Sequence, residues 1–331
     1  MAATAAAAAA SPSSFSTDEL LGKSVAAHYV SEERRTLVRG IAVTSWRWRS
    51  VDADASKTRP CIVGIHGGPA FAHHYILPLI LLCDTGFDVV LYDQAGCGAS
   101  AADETQFPWL LTLEYYPLEE LPAVLQEWGL DSYFLYGSSW GTIVCQVFAL
   151  TQPSGLRGMI LDGALSDAQL YIRTQWRDNL SKLPLLTQQK LKRLEAAGEF
   201  GSAEYKCIEA ALTGQFTHRL LPPAQCYLDS VAAANLSIYA QMQGPSEFAI
   251  GGVLAGMNLT EQLHRVRCPT LVMMGEFDTM TRECSMALVD NIPGCKPLAV
   301  IARAGHCKLA DEPQQCFEIM SSFLAEAATR A

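Results

Sequence analysis

The chain predicts an α/β protein: an open, mostly parallel sheet with helices on both faces and a helical segment inserted late in the sheet. Three observations predict it. First, short continuous apolar runs recur at residues 61–65, 89–92, 133–136, 159–161, 270–274 and 298–301. Runs without polar alternation fit strands covered on both faces, as in a parallel sheet. Second, helix-length segments near 75–84, 115–128, 140–151 and 312–328 lie between or after these runs. Alternating strand and helix is the signature of a wound α/β sheet. Third, the rhythm lapses over residues 165–263, where no such run occurs and 188–197 and 203–212 read as helical.

Taken in order, residues 1–17 are rich in Ala, Ser and Thr and hold no charged side chain. A secretory signal needs a basic start and a transit peptide needs Arg. A disordered tail over 1–20 and a cytoplasmic protein are therefore expected, with an organellar address as the alternative. Residues 41–49 (IAVTSWRWR) alternate apolar and polar and predict a half-buried antiparallel strand. The body then divides into 21–164 plus 264–331, which carry the sheet, and a helical cap over 165–263.

Composition narrows the function classes. The 331 residues hold 24 Lys+Arg against 34 Asp+Glu, a net charge of −10, with 50% apolar residues. That is a globular chain with a large core. The acidic balance counts against nucleic acid or an anionic membrane surface as partner, since both require clustered Lys and Arg. No window approaches the roughly 18 consecutive apolar residues of a membrane-spanning helix. The eleven cysteines form no C-x-x-C pair. They predict free thiols in a reducing compartment and no zinc site.

Gly137-Ser138-Ser139-Trp140-Gly141 has the form G-x-S-x-G, directly after one apolar run and before a helical pattern. This is the strand, sharp turn and helix of a nucleophile elbow, with Ser139 as nucleophile. His66-Gly67-Gly68-Pro69 follows the run 61–65. Such a loop supplies a backbone N–H to an oxyanion hole, so Gly67 and Gly68 are candidates together with the N–H of Trp140. His66 itself is expected to organise the loop.

A serine nucleophile needs a base, and the base needs an orienting carboxylate. His306 follows the run 298–301, and Asp278 follows 270–274. Both fall at carboxyl ends of strands, where open α/β sheets place their sites. The chain order Ser139, Asp278, His306 matches the order of this architecture. Asp162, after 159–161, and Glu276 are the rival acids. The adjacent His73 and His74 cannot share a metal on one helical face. No dinucleotide or P-loop motif follows a strand, so neither a metal nor a cofactor is expected. The Gly96-Cys97-Gly98 turn reads as a loop on the active-site face.

Together these stretches resemble the proline iminopeptidases of the α/β-hydrolase superfamily. The matching residues are His66-Gly67-Gly68-Pro69 with His73, Tyr75 and Pro78, then residues 93–100 (DQAGCGAS) and Gly137 to Gly141. In the C-terminal part they are residues 242–248 (MQGPSEF), Gly275-Glu276-Phe277-Asp278 and Gly305-His306. The resemblance implies an aminopeptidase that releases the N-terminal residue of a peptide or aminoacyl amide through an acyl-enzyme. Its substrate is a peptide or small molecule with a free amine. It also implies a helical cap whose acidic residues hold the substrate ammonium, with Glu247 at the matching position and Glu209 as a second candidate by rough position. A helix-start carboxylate after Pro245 is the purely structural reading of Glu247. Ala70, Ala95 and Ala99 depart from the family pattern, and Phe216, His218 and Arg219 echo its cap segment loosely. An esterase, lactonase or amidase acting on a small metabolite is the alternative, because the same machinery cleaves esters.

Overall fold

A computed structural model of the chain describes residues 16–54 and 57–329. Eight strands form one sheet: β1 Tyr29–Val38, β2 Ile41–Ser50, β3 Cys61–Ile65, β4 Asp88–Tyr92, β5 Tyr133–Ser138, β6 Leu156–Asp162, β7 Thr270–Gly275 and β8 Ala299–Ile301. Their spatial order is β1-β2-β4-β3-β5-β6-β7-β8. The β1/β2 and β2/β4 pairs are antiparallel and all others parallel. The fold class is the expected one, an α/β-hydrolase sheet. Strand β2 covers the predicted alternating segment, β3 to β7 cover the first five apolar runs, and β8 begins one residue into the sixth.

Strand β1 is an addition. Its sequence YVSEERRTLV carries charge and most of it is exposed, because it lies at the sheet's edge and buries little. Its place is set by the hairpin with β2. Arg39 and Gly40 both take positive φ, 48° and 91°, the conformation of a two-residue type I′ turn.

The two faces of the sheet follow from strand periodicity. Ile62, Leu91, Tyr136 and Ile160 point to one side, under the C-terminal helix Pro313–Thr329 and the 3₁₀ segment His73–Thr85. Val63, Val90, Leu135 and Met159 point to the other, under Leu121–Glu127 and Trp140–Leu150. The segment His73–Thr85 is 3₁₀ rather than α-helical and contains Pro78, which lacks the N–H an α-helix needs.

The tail expected over residues 1–20 is shorter where it is described. Thr17–Leu21 forms a helical turn closed by a capping box between Ser16 and Glu19. Residues 1–15 lie outside the described residues.

Residues 165–263 divide by their packing. Leu165, Ala168 and Tyr171 at the start, and Leu254, Met257 and Leu263 at the end, belong to the core cluster on one face of the sheet. The Asp167–Asn258 bridge joins these two stems. Between them, Leu191, Leu194, Tyr205, Ile208, Leu212 and Phe216 enclose a separate cluster around the helices Leu185–Ala196 and Ala203–Leu212. The described cap residues contain helices and isolated bridges but no strand. Among the described residues, no helix is long and apolar enough to cross a membrane. The eleven cysteines are free, and most are buried as small apolar side chains.

Candidate active site

Ser139 stands between β5 and the helix Trp140–Leu150 with φ 54° and ψ −120°. A non-glycine residue rarely adopts that backbone conformation, and it is kept where the surroundings enforce it. The enforcing contacts are close. The Ser139 N–H donates to the Asp162 carbonyl at 2.9 Å. A Cβ on Gly141 would stand 2.1 Å from the Ile65 carbonyl oxygen, and one on Gly137 would stand 2.4 Å from that of Gly141. The glycines of G-x-S-x-G are therefore required by the approach of β3, β5 and the helix.

Asp278 and His306 come from the loops after β7 and β8. His306 Nδ1 lies 2.6 Å from Asp278 Oδ1, and His306 Nε2 is buried without a hydrogen-bond partner. Ser139 and His306 line one cavity. His306 Nε2 is thus the ring nitrogen left to serve a group in this cavity. Of the rival acids, Asp162 accepts from the Tyr136 hydroxyl at 2.5 Å, and Glu276 accepts from the Arg303 N–H at 2.8 Å. Asp278 is the carboxylate on the imidazole.

A residue the sequence reading passed over completes this group. Lys308 is fully buried. Its Nζ donates to Asp278 Oδ2 and to the His306 carbonyl, both at 2.8 Å, and pairs with Asp162 Oδ1 at 3.0 Å. Asp278 also accepts from the N–H groups of Gly275 at 3.0 Å and Met280 at 2.9 Å. Burial would raise the Asp278 carboxyl, but Lys308 and His306 outweigh it and hold it well below the usual carboxylate range. Burial likewise opposes the His306 charge, yet Asp278 beside it leaves the imidazole above its usual value. Asp278 thus stays ionised and orients a histidine that is a somewhat stronger base than normal.

The loop after β3 narrows the expected donor set. The Gly67 N–H is taken: it donates to the Tyr75 hydroxyl at 2.6 Å. Among the described residues, the Gly68 and Trp140 N–H groups donate to no other group. Gly67 serves instead by its size, since a Cβ there would stand 2.8 Å from the Ser139 Cβ. His66 is fully buried. Its Nε2 accepts from the Gln94 N–H at 3.0 Å, so its Nδ1 carries the proton toward the Gly67 carbonyl at 2.9 Å. Burial lowers its pKa to about 4, which keeps it a neutral organiser of the loop. Gln94 also accepts from the Trp140 indole at 2.8 Å, tying this loop to the elbow.

The cavity over Ser139 measures about 410 Å³. Glu247 and Glu209 both line it. Glu247 accepts from the Tyr239 hydroxyl at 3.2 Å and the Thr279 hydroxyl at 3.4 Å, and has no ion pair among the described residues. Burial raises its carboxyl, and the nearby His306 only partly opposes this. Its backbone is fixed by the Tyr171 hydroxyl, which donates to its carbonyl at 2.7 Å. Glu209 is paired with Lys206 at 2.7 Å. The cap segment near Phe216 meets the catalytic loop through its backbone. The His306 N–H donates to the Phe216 carbonyl at 2.8 Å, and the Cys307 N–H to that of Thr217 at 2.7 Å. Main-chain contacts of this kind leave no mark in residue types, which is why the sequence offered only a loose echo there.

Known proteins are similar to this chain in sequence and in fold. The family model for serine aminopeptidases of the S33 type matches residues 56–313. A proline iminopeptidase of Heyndrickxia coagulans is 32% identical over 80% of this chain and 90% of its own length. One from Saccharolobus solfataricus is 30% identical over 80% of this chain and 84% of its own. The crystal structure of the Mycobacterium smegmatis proline iminopeptidase superposes with a TM-score of 0.81 at 28% identity, over 89% of this chain and 98% of that one. With the family match running from ahead of β3 to the start of the last helix, the chain is a hydrolase that belongs to the serine aminopeptidase S33 family.

Proposed function

We propose that this protein is an aminopeptidase that releases the N-terminal residue from peptides or aminoacyl amides by covalent serine catalysis. The observation that carries the reading is the meeting on one cavity of Ser139, His306 and Glu247, whose carboxylate has no ion pair among the described residues. A half-buried carboxylate without a cation is costly, and an ammonium answers that demand with charge-assisted hydrogen bonds. The relatives named proline iminopeptidase support the same class.

In this mechanism His306, oriented by Asp278, removes the proton of Ser139 as the hydroxyl attacks the scissile carbonyl. The Gly68 and Trp140 N–H groups receive the oxyanion, where fixed donors act without reorganising. His306 passes the proton to the leaving amine, and water then releases the acyl group by the same steps. Glu247 holds the α-ammonium, which fixes the bond presented to Ser139. Lys308 holds Asp278 as its partner.

Hydrolysis of alanyl-p-nitroanilide and its N-acetyl derivative tests the reading. The free amine should react at least about a hundredfold faster, the loss expected when a buried carboxylate has no cation to pair with. Equal rates would overturn the aminopeptidase reading and favour a general esterase or amidase.

A further inference from the structure

Two cavities meet at Ser139, and they differ greatly in size. The one of about 410 Å³ includes His306, Phe71, Tyr227 and Glu209 in its wall. The other measures about 10 Å³ and lies against Ile143, Leu165, Ile250, Leu254 and Met280. Gly68, Ser139 and Glu247 border both, whereas His306 borders only the larger. The chemistry assigns a side to each. The base that takes the serine proton must hand it to the leaving amine. The leaving group therefore occupies the cavity that contains His306. The carbonyl's other substituent is the α-carbon, with its ammonium and its side chain. Glu247 stands at the boundary, where the ammonium belongs, so the side chain projects into the small cavity.

We propose that this enzyme selects a small N-terminal residue, glycine or alanine, on a large leaving group. The proposal rests on the aminopeptidase reading for the ammonium, and on cavity geometry alone for the size limit. About 10 Å³ is the space of one water molecule, and so of roughly one methyl group. The larger cavity is of the size that holds whole small ligands. The small cavity's walls do not yield easily. Ile143 is 1% exposed, Leu165 3%, Leu254 2% and Met280 3%. All four belong to the main core cluster. Forcing extra methylenes into a packed core displaces side chains and backbone, which is unfavourable. A pyrrolidine ring or a leucyl side chain meets that cost, and an alanyl methyl does not. Met280 is the softest wall, because an unbranched thioether adapts most readily.

Two substrate series measured on the wild-type protein test this. In the first, kcat/KM for alanyl- and glycyl-p-nitroanilide should exceed that for prolyl and leucyl by at least about tenfold, the usual discrimination of a tight apolar pocket. In the second, p-nitrophenyl propionate and cyclopentanecarboxylate present the methyl-sized and ring-sized acyl groups without an amine. Propionate should again be preferred about tenfold. Leu254→Ala and Met280→Ala should each narrow both ratios. Prolyl or cyclopentanecarbonyl substrates cleaved as fast as their small counterparts would overturn the size limit. If the ester pair obeys the limit while free and N-acetylated alanyl substrates react equally, the size limit stands and the aminopeptidase reading fails.

Discussion

The carboxyl edge of the sheet and the wall of the cap hold their carboxylates in opposite ways. Asp278 receives four donors: His306 Nδ1, Lys308 Nζ and the N–H groups of Gly275 and Met280. Glu247, across the same cavity, receives two distant hydroxyls and no cation among the described residues. A fully bonded buried carboxylate is fixed in charge and place, so it can orient a partner. A sparsely bonded one is left with an electrostatic demand that a ligand can meet. The difference sets a carboxylate held in place apart from one with bonding capacity to spare. The sheet edge over-determines its groups, and the cap wall leaves one under-determined at the cavity.

Substitutions on the two sides should therefore fail differently. The largest effect belongs to the sheet edge. Ser139→Ala should lower kcat at least about a thousandfold, as removal of a triad nucleophile does. It should also abolish labelling by a fluorophosphonate probe. The fold should survive, because among the described residues no side-chain bond of Ser139 holds the elbow: its backbone N–H bond to Asp162 and the flanking glycines do. Retained labelling would place the nucleophile elsewhere. Glu247→Gln comes next. It should reduce kcat/KM for free-amine substrates about a hundredfold, the scale of a buried charge pair broken on one side. Probe labelling should stay near wild type, because the probe has no ammonium to place. Loss of labelling would show that Glu247 supports the machinery itself and would erase the distinction between the two regions.

Lys308→Met tests the over-determined side with a smaller kinetic and a larger structural effect. It leaves Asp162 and Asp278 buried without their shared cation, which should cost about 3–5 kcal/mol of stability. Thermal unfolding reads that loss. Activity should fall about tenfold through loosened orientation of Asp278. The pH profile gives the sign. In the wild type His306 lies above the ordinary histidine value, so activity should rise with pH through a limb above about 6.5. Below it the imidazole is charged and cannot act as base. The Lys308 charge works against that protonation, so its removal should move the limb further up. An unmoved limb would reduce Lys308 to packing.

What was legible in the sequence follows the same division. Ser139, Asp278 and His306 each sit just past a buried strand, and buried strands announce themselves as apolar runs. The glycines around Ser139 are readable because backbone contacts near 2 Å exclude any side chain. Lys308 was not legible, because one lysine two residues past a histidine looks like any solvated residue until the fold buries it. Nor was β1, whose charged sequence lies on an edge strand that buries little. The donor role first assigned to Gly67 failed because the Tyr75 hydroxyl comes from eight residues away and occupies its N–H. The cap resisted most. Its contribution to the catalytic loop runs through the carbonyls of Phe216 and Thr217, which any residue could supply.

Glu209 gives the smallest effect and the finest test of the comparison. It shares the cavity with Glu247 but stands one helical turn from Lys206, which pairs with it at 2.7 Å. The Lys206 side chain is 57% exposed, so this pair is of the weak, water-screened kind. Unlike Glu247, Glu209 already has its cation, and an incoming ammonium would have to compete for it. Glu209→Gln should therefore raise KM for aminoacyl substrates by less than about fivefold with kcat unchanged, the pattern of lost uniform binding. Lys206→Ala removes the competitor. If Glu209 is a second anchor for the ammonium, KM should drop in that variant, and the drop should vanish in the Lys206→Ala, Glu209→Gln double variant. A KM unmoved in all three confines ammonium recognition to Glu247, the one of the two whose charge the protein leaves unanswered.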